Sequence, residues 1–281
     1  MSGRLEIRVT LPPSSLRALT WGIWAINLVL IFANFNIHLG GQLPSEIATH
    51  QLDMNQEANL ASWYSSMLLT LAAVFAAVNY HVRAHVDGRW RFGWLAVAAL
   101  ALGLSADQVA QVHETIGAYV RAHAALLEET LPAGYLWVLV LGPLAAAAAT
   151  FLFLFFRRVL APIPHCRRLA LAGVTLWVSA IALEALAVPV FHTVSIGESG
   201  QLISAPYSIA YALEESSELL GTTLLLLSFI ELAAQPAIEF AARLAAVLAA
   251  GEARQAVEGT PVPPGMETHE GGQASAPLGA D

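Results

Sequence analysis

Acidic side chains stand inside or beside several apolar runs of this chain, where a carboxylate is costly. With one neighbouring histidine, they are Glu57, Asp107, His113, Glu114, Glu184, Glu214 and Glu218. Carboxylate and imidazole groups are ligands that suit iron, manganese and zinc. An ionised acid near the centre of a bilayer costs about 2.5–3.5 kcal/mol, so such residues indicate a functional site by default.

Helical spacing predicts that these residues converge. Glu214 and Glu218 are four positions apart and share one helical face, while Asp107 and Glu114 are seven apart and are expected to share another. At 1.5 Å per residue, Glu218 lies about 16 Å from the outer end of its helix, near the midplane. Gly221, close by on the same helix, predicts a close approach of a second helix at this level.

The sequence offers no cationic side chain to neutralise these acids. All basic residues are arginine, 13 in number, and none falls within an apolar span. Compensation is left to protonation, hydrogen bonding, histidine or a bound cation. We favour a divalent metal ion, iron, manganese or zinc, held by the seven residues named above, as carboxylate-bridged metals are in helical bundles. The Glu-x-x-His pair usual in such bundles is missing.

A few residues carry a family resemblance. Glu57 and Ser62 at the start of one helix, and Ser105 before His113 on the next, are similar to the intramembrane metal hydrolases of the alkaline ceramidase and adiponectin-receptor type. A metal ion with an open position would either activate water for hydrolysis, as the resemblance implies, or carry out redox chemistry on a lipid or quinone. The paired histidines that this family carries on a late helix are absent here, and the span count differs.

Three other interpretations stay open. The acids can be protonated structural links between helices, although neutral Ser, Thr, Asn or Gln would serve at lower cost. A cation- or proton-coupled transporter would use Asp107, Glu214 and Glu218 as its binding groups, but the other halves of the spans are almost purely apolar. An accessory subunit of a larger membrane complex would explain the scarcity of motifs, though not the clustering of acids.

The elements that position these residues are transmembrane helices. Apolar residues make up 57% of the chain and charged residues 12%, which is too few to cover a water-soluble globule. A bilayer core about 30 Å thick needs about 20 helical residues. Six segments approach that length: residues 19–38, 60–80, 92–112, 135–156, 169–191 and 207–230.

The distribution of arginine predicts orientation. With the amino terminus inside, twelve of the arginines are cytoplasmic and only Arg121 is outside, as the positive-inside rule requires. Both termini are therefore expected in the cytoplasm and the acids in the outer half of the bundle. Aromatic residues agree with this orientation. Trp21, Trp24, Trp90 and Trp94 are expected at the inner interface, and Trp63, Tyr64, Tyr135, Trp137 and Tyr207 at the outer one.

The sequence thus predicts an all-α, polytopic bundle of six transmembrane helices. A cytoplasmic segment (residues 1–18) precedes the transmembrane domain (19–232), which is followed by an amphipathic surface helix (233–250) and a disordered tail (251–281). The use of arginine without lysine, with much Ala and Leu, suggests a bacterial inner membrane. The expected partner is the lipid bilayer, and no nucleic acid is expected. Assembly into a homo-oligomer or into a larger membrane complex stays an open alternative. Cys166 has no partner for a disulfide.

Overall fold

The computed structural model describes residues 13–41, 43–56, 58–83, 87–123, 133–191 and 205–258. These residues form eight α-helices and one short 3-10 helix at Gly88–Arg91, with no strand among them. The helices are α1 (Pro13–His38), α2 (Glu46–Leu52), α3 (Leu60–Val82), α4 (Phe92–Ala110), α5 (Val112–His123), α6 (Ala133–Val159), α7 (Pro164–Phe191) and α8 (Ala205–Glu258).

Six of these helices are long and apolar enough to cross a membrane, which confirms the all-helical expectation and the number of candidate spans. The apolar segments are Ser14–His38, Leu60–Val82, Gly88–Ala110, Trp137–Val159, Pro164–Leu186 and Ser208–Gln235. The short helices α2 and α5 were not expected from the sequence as separate elements. α2 follows α1 after residues 39–45, and α5 follows α4 after Gln111 alone.

The chain divides into two compact units, residues 1–235 and 236–281. The second unit is helical to Glu258, which extends the helix beyond the Ala250 end expected from the sequence. The rest of the expected tail lies outside the described residues. The first unit contains all six candidate spans.

Consecutive spans run in opposite directions, so the first unit has two chemically different ends. We call the end that carries Asp53, Asp107 and Glu184 the acidic end. The opposite end, which carries Arg83, Arg91, Arg158 and Arg168, is called the arginine end. Pairings such as Ser66 with Ser105 and Asn79 with Phe229 join neighbouring helices along the length between them.

Buried polar side chains bond α1, α3 and α8 to one another. The Asn27 amide nitrogen donates to Thr223 Oγ1 at 2.8 Å, and the Tyr64 hydroxyl donates to Asn27 Oδ1 at 3.1 Å. Asn27 and Thr223 are both fully buried. Towards the arginine end, the Asn79 amide donates to the Phe229 carbonyl at 3.0 Å. Each bond satisfies a polar group that would otherwise be costly in an apolar interior.

Tyr64 and Trp94, expected at membrane interfaces, are instead inside the bundle. Tyr64 is 5% exposed, and Trp94 is fully buried. The Trp94 ring packs edge-on against Phe155 and Phe229, with centroids 5.2 and 5.5 Å away, and Phe156 completes the group. Its indole N–H donates to Asp87 at 2.9 Å. We call Trp94, Phe155, Phe156 and Phe229 the aromatic layer.

α7 and α8 cross at two glycines, as the sequence predicted for Gly221. A Cβ atom added at Gly221 would lie 2.6 Å from Trp177 Cδ1 and 2.9 Å from the Gly173 carbonyl oxygen. One added at Gly173 would lie 2.8 Å from the Gly221 carbonyl oxygen. Because each added Cβ atom would clash with the backbone of the other helix as well as with a packed side chain, the crossing disfavours any side chain at either position.

We therefore expect Gly221→Ala to lower the free energy of unfolding by about 1–3 kcal/mol, the usual cost of overpacking a tight contact. Gly103→Ala is the matched control, because nothing lies within 4 Å of a Cβ atom at this position on α4. The control should be neutral or slightly stabilising. Thermal unfolding in detergent measures both, and equal midpoints for the two variants would contradict the close crossing.

Candidate cation site

The third candidate span ends in a helix break that the sequence did not predict. α4 stops at Ala110, Gln111 adopts the left-handed conformation with φ 53°, and α5 begins at Val112. The expectation that Asp107 and Glu114 share one helical face is therefore wrong, because the two residues belong to different helices. The break is stabilised from within: the backbone N–H of His113 donates to Asp107 Oδ1 at 3.0 Å. The carboxylate thus caps the first turn of α5.

Asp107 and His113 also form a side-chain ion pair. His113 Nδ1 lies 2.7 Å from Asp107 Oδ2, and each side chain is 26% exposed. Burial acts to lower the pKa of His113. The hydrogen bond and charge of Asp107, with the charges of Glu184 and Glu114, outweigh burial and raise that pKa to about 9. His113 is therefore a cation at neutral pH, at the mouth of the acidic end.

Glu184 of α7 is fixed from α6. The indole N–H of Trp137 donates a short hydrogen bond to Glu184 Oε1. The Trp137 ring also meets the His113 ring edge-on, with centroids 5.1 Å apart. Trp137 thus connects the carboxylate on α7 with the ion pair at the junction of α4 and α5.

Glu218 and Glu214 lie on α8, where they share a face as predicted from their spacing. The Gln108 amide nitrogen donates to Glu218 Oε2 at 3.3 Å. The Trp177 indole N–H lies 3.3 Å from the Glu218 carbonyl oxygen and 3.2 Å from Thr222 Oγ1, beside the glycine crossing. Glu214 is 7% exposed, and its Oε2 atom has no hydrogen-bond partner.

These groups lie close enough to interact electrostatically. Glu214 interacts with Glu184 and Glu218, and Glu218 interacts with Asp107 and His113. We call Asp107, His113, Glu184, Glu214 and Glu218 the carboxylate cluster. It draws side chains from α4, α5, α7 and α8 to one region of the acidic end.

The other predicted site residues stand apart from this cluster. Glu114 is exposed in the first turn of α5, where it interacts with His113 and Glu184 only through its charge. An acid in a first helical turn is also favoured by the helix dipole. Glu57 lies outside the described residues. The hydroxyls that carried the family resemblance have structural partners: Ser62 completes the capping box of α3, and Ser105 bonds to Ser66 and Thr70.

A separate polar group lies where α1 meets the segment after α2. The Met54 N–H donates to Asn34 Oδ1 at 3.1 Å, which leaves the buried Asn34 amide nitrogen without a partner. His38 Nε2 lies 3.3 Å from Asp53 Oδ1 without hydrogen-bond geometry. Asn59 caps α3, and its amide nitrogen donates to the carbonyls of His50 and Asp53. These bonds connect α2 and the segment after it to the ends of α1 and α3.

Two donors of the carboxylate cluster were missed in the sequence. The sequence predicts an interfacial position for Trp137 and indicates no role for Gln108. Gln108 follows Asp107 directly, so a polar residue beside an acid at the end of an apolar run is the available signal. The sequence contains no signal for the role of Trp137, because its partner Glu184 is 47 positions away on another helix.

The cluster supplies oxygen and imidazole groups that can bind a cation, yet the donors are not gathered around one point. Among the residues that the structure describes, no three His, Cys, Asp or Glu side chains are placed to hold a metal ion together. Trp137 and Gln108 each occupy one carboxylate, and Asp107 is paired with His113. Glu214 Oε2 is a buried oxygen of the cluster that has no hydrogen-bond partner.

The fold and this cluster define a bundle of six candidate membrane spans with buried acids at one end. A family model described as a domain of unknown function, DUF8692, matches residues 22–232. That match covers more than half of the chain and all six candidate spans except their outermost residues, so the chain belongs to this family. No curated protein and no solved structure matches the chain.

The ion pair predicts a pH-dependent stability. A free histidine has a pKa near 6.5, whereas that of His113 is raised to about 9. The pair therefore stabilises the fold fully below about pH 6.5 and loses this contribution as the pH rises through about 9, a change on the order of 1–3 kcal/mol.

His113→Gln should remove this contribution, so wild type and variant should differ at pH 6 and converge near pH 10. Thermal unfolding across that range is the measurement. His123→Gln, at the exposed end of the same helix, should keep the wild-type profile. Identical profiles for wild type and His113→Gln would show that the pair has no role in stability.

Proposed function

We propose that this chain is a multi-pass membrane protein whose carboxylate cluster binds a cation, with a divalent metal ion as the first candidate. The observation that carries the proposal is the buried Glu214 carboxylate, whose Oε2 atom lacks a partner while it faces the charges of Glu184 and Glu218. A buried carboxylate in that position must be neutralised, either by a proton or by a bound cation.

The charge balance of the cluster supports this proposal. Four carboxylates face one imidazolium, and the described arginines of the spans lie at the opposite end. Neutral donors from Gln108 and Trp137 relieve part of the desolvation cost but supply no charge. At least part of the remaining negative charge must be neutralised by protons or by a metal ion.

The packing of the bundle supports access to the site from one side. The carboxylate cluster lies at the acidic end, whereas the aromatic layer and fully buried residues such as Leu226 and Leu232 fill the bundle towards the arginine end. A continuous polar path along the bundle is what a transporter would need. The packed apolar half favours a binding or catalytic site that exchanges with one side only.

A metal ion there would act on a substrate that arrives from the acidic end or from the lipid around it. Its chemistry would be polarisation of a substrate oxygen or activation of water. The second candidate function is proton exchange without a metal, favoured because Trp137 and Gln108 each already occupy one carboxylate oxygen that a metal ion would need. Both candidates require the same carboxylates, so one experiment separates them.

Glu218→Gln is the most direct test, because it keeps the shape of the side chain and removes the charge. With a metal ion at a hundredfold excess over its dissociation constant, the wild type should gain about 2.7 kcal/mol of stability over the chelator-treated protein. Glu218→Gln and Glu214→Gln should lose that gain. Thermal unfolding with iron, manganese, zinc or chelator measures it, together with metal analysis of the purified protein.

Glu231→Gln is the matched control on the same helix. Glu231 lies at the arginine end and pairs with His165 at 3.0 Å, so its removal should leave the metal effect unchanged. Equal wild-type midpoints under all metal conditions would rule out the metal ion. In that case, a pH dependence that persists in His113→Gln and is lost when Glu218→Gln is added would identify protons as the cation.

The membrane part of the proposal has its own test. We expect both termini and the connection after Ala161 on the cytoplasmic side of a bacterial inner membrane, and residue 128 on the other side, following the arginine distribution. Reporter fusions at these positions measure the orientation. A carboxyl terminus on the outer side would contradict the six-span topology.

A further inference from the structure

Three arginine side chains at the arginine end lie against aromatic rings. The guanidinium carbon of Arg158 is 4.9 Å from the centroid of Trp90, and that of Arg89 is 5.7 Å from the same ring. The third, Arg91, lies 4.9 Å from Phe92 and is 5.3 Å from Tyr80. Such contacts hold a guanidinium in place and leave its N–H donors free at the edge of the plane.

Within the part of the chain that the structure describes, no carboxylate forms an ion pair with these three arginines. Among the described residues, the ion pair formed by an arginine is the one between Arg83 and Asp87, whose side chains are 2.9 Å apart. Arg89 and Arg158 instead share one indole ring, which brings two positive charges together. The carboxyl-terminal turn of α6 favours the charge of Arg158. It does not account for Arg89, which lies in the 3-10 helix before α4.

Apolar side chains continue from the guanidiniums along both helices. Leu154 lies one helical turn from Arg158 and is 58% exposed, and Leu95 lies one turn from Arg91 and is 42% exposed. A ligand that satisfies both surfaces carries an anionic group above a hydrocarbon chain. Anionic phospholipids have this chemistry, and they are attracted to basic residues at the ends of membrane spans.

We propose that Arg89 and Arg158, which both lie against the Trp90 ring, bind the phosphate of an anionic phospholipid. The acyl chains of this lipid lie along the exposed apolar residues of α4 and α6. The proposal rests on the membrane location proposed above and is independent of the carboxylate cluster. Failure of cation binding would therefore leave it untouched.

The test uses the full chain in a neutral detergent, with phosphatidylglycerol, phosphatidylcholine and inorganic phosphate as probes and native mass spectrometry as the measurement. The wild type should bind phosphatidylglycerol in preference to phosphatidylcholine. Arg89→Gln with Arg158→Gln should weaken this binding roughly thirtyfold, at about fivefold for each arginine. Arg167→Gln with Arg168→Gln removes the same charge from α7 at the same end and should weaken it less than threefold.

Trp90→Leu provides a second variant that keeps every charge. It should lose at least part of the preference for phosphatidylglycerol, because the guanidiniums lose their common platform. If the two double variants weakened phosphatidylglycerol binding equally, the effect would come from general surface charge, and the proposed lipid site would be wrong. Displacement of the lipid by millimolar inorganic phosphate would also overturn it, because the ligand would then be a free anion.

Discussion

The close approach of α7 and α8 at Gly173 and Gly221 determines where the carboxylate cluster of this protein lies. Two helix backbones meet there without side chains between them, so Glu184 on one helix and Glu214 and Glu218 on the other are brought within electrostatic reach. Trp177 closes the gap beside the crossing and bonds to the backbone and hydroxyl of α8. A bulkier pair of residues would separate the acids and lower the cost of burying them. The contact between the two glycines and the clustering of the acids therefore depend on each other.

Much of the fold follows from the sequence because it depends on local composition. Length and hydropathy located six candidate spans, and the spacing of Glu214 and Glu218 correctly gave a shared face. Gly221 indicated a close helix approach for a local steric reason. The break at Gln111 was missed because no glycine or proline marks it. The stabilising bond comes from Asp107, a residue whose apolar surroundings made it look like part of a continuous helix.

The candidate site was less predictable, because its partners are distant in the chain. The sequence indicated which acids to consider, but not that Trp137 and Gln108 would occupy two of them, or that Ser62 and Ser105 would be committed to helix capping and helix pairing. Trp94 shows the same limit. Its position near the end of a span predicted an interfacial ring, whereas the fold uses it as the centre of a buried aromatic layer with Asp87 as its polar partner. Side-chain direction on a helix in a bundle is decided by neighbours that composition does not reveal.

The bond between Asn27 and Thr223 joins the first candidate span to the last, across 196 positions of sequence. During synthesis the Asn27 amide nitrogen emerges long before Thr223, and an unpaired amide in an apolar interior is unfavourable. Tyr64, on the next candidate span, is an earlier partner, which donates to the Asn27 side-chain oxygen. Truncation before α8 would therefore leave the Asn27 amide nitrogen without the acceptor that it has in the complete bundle.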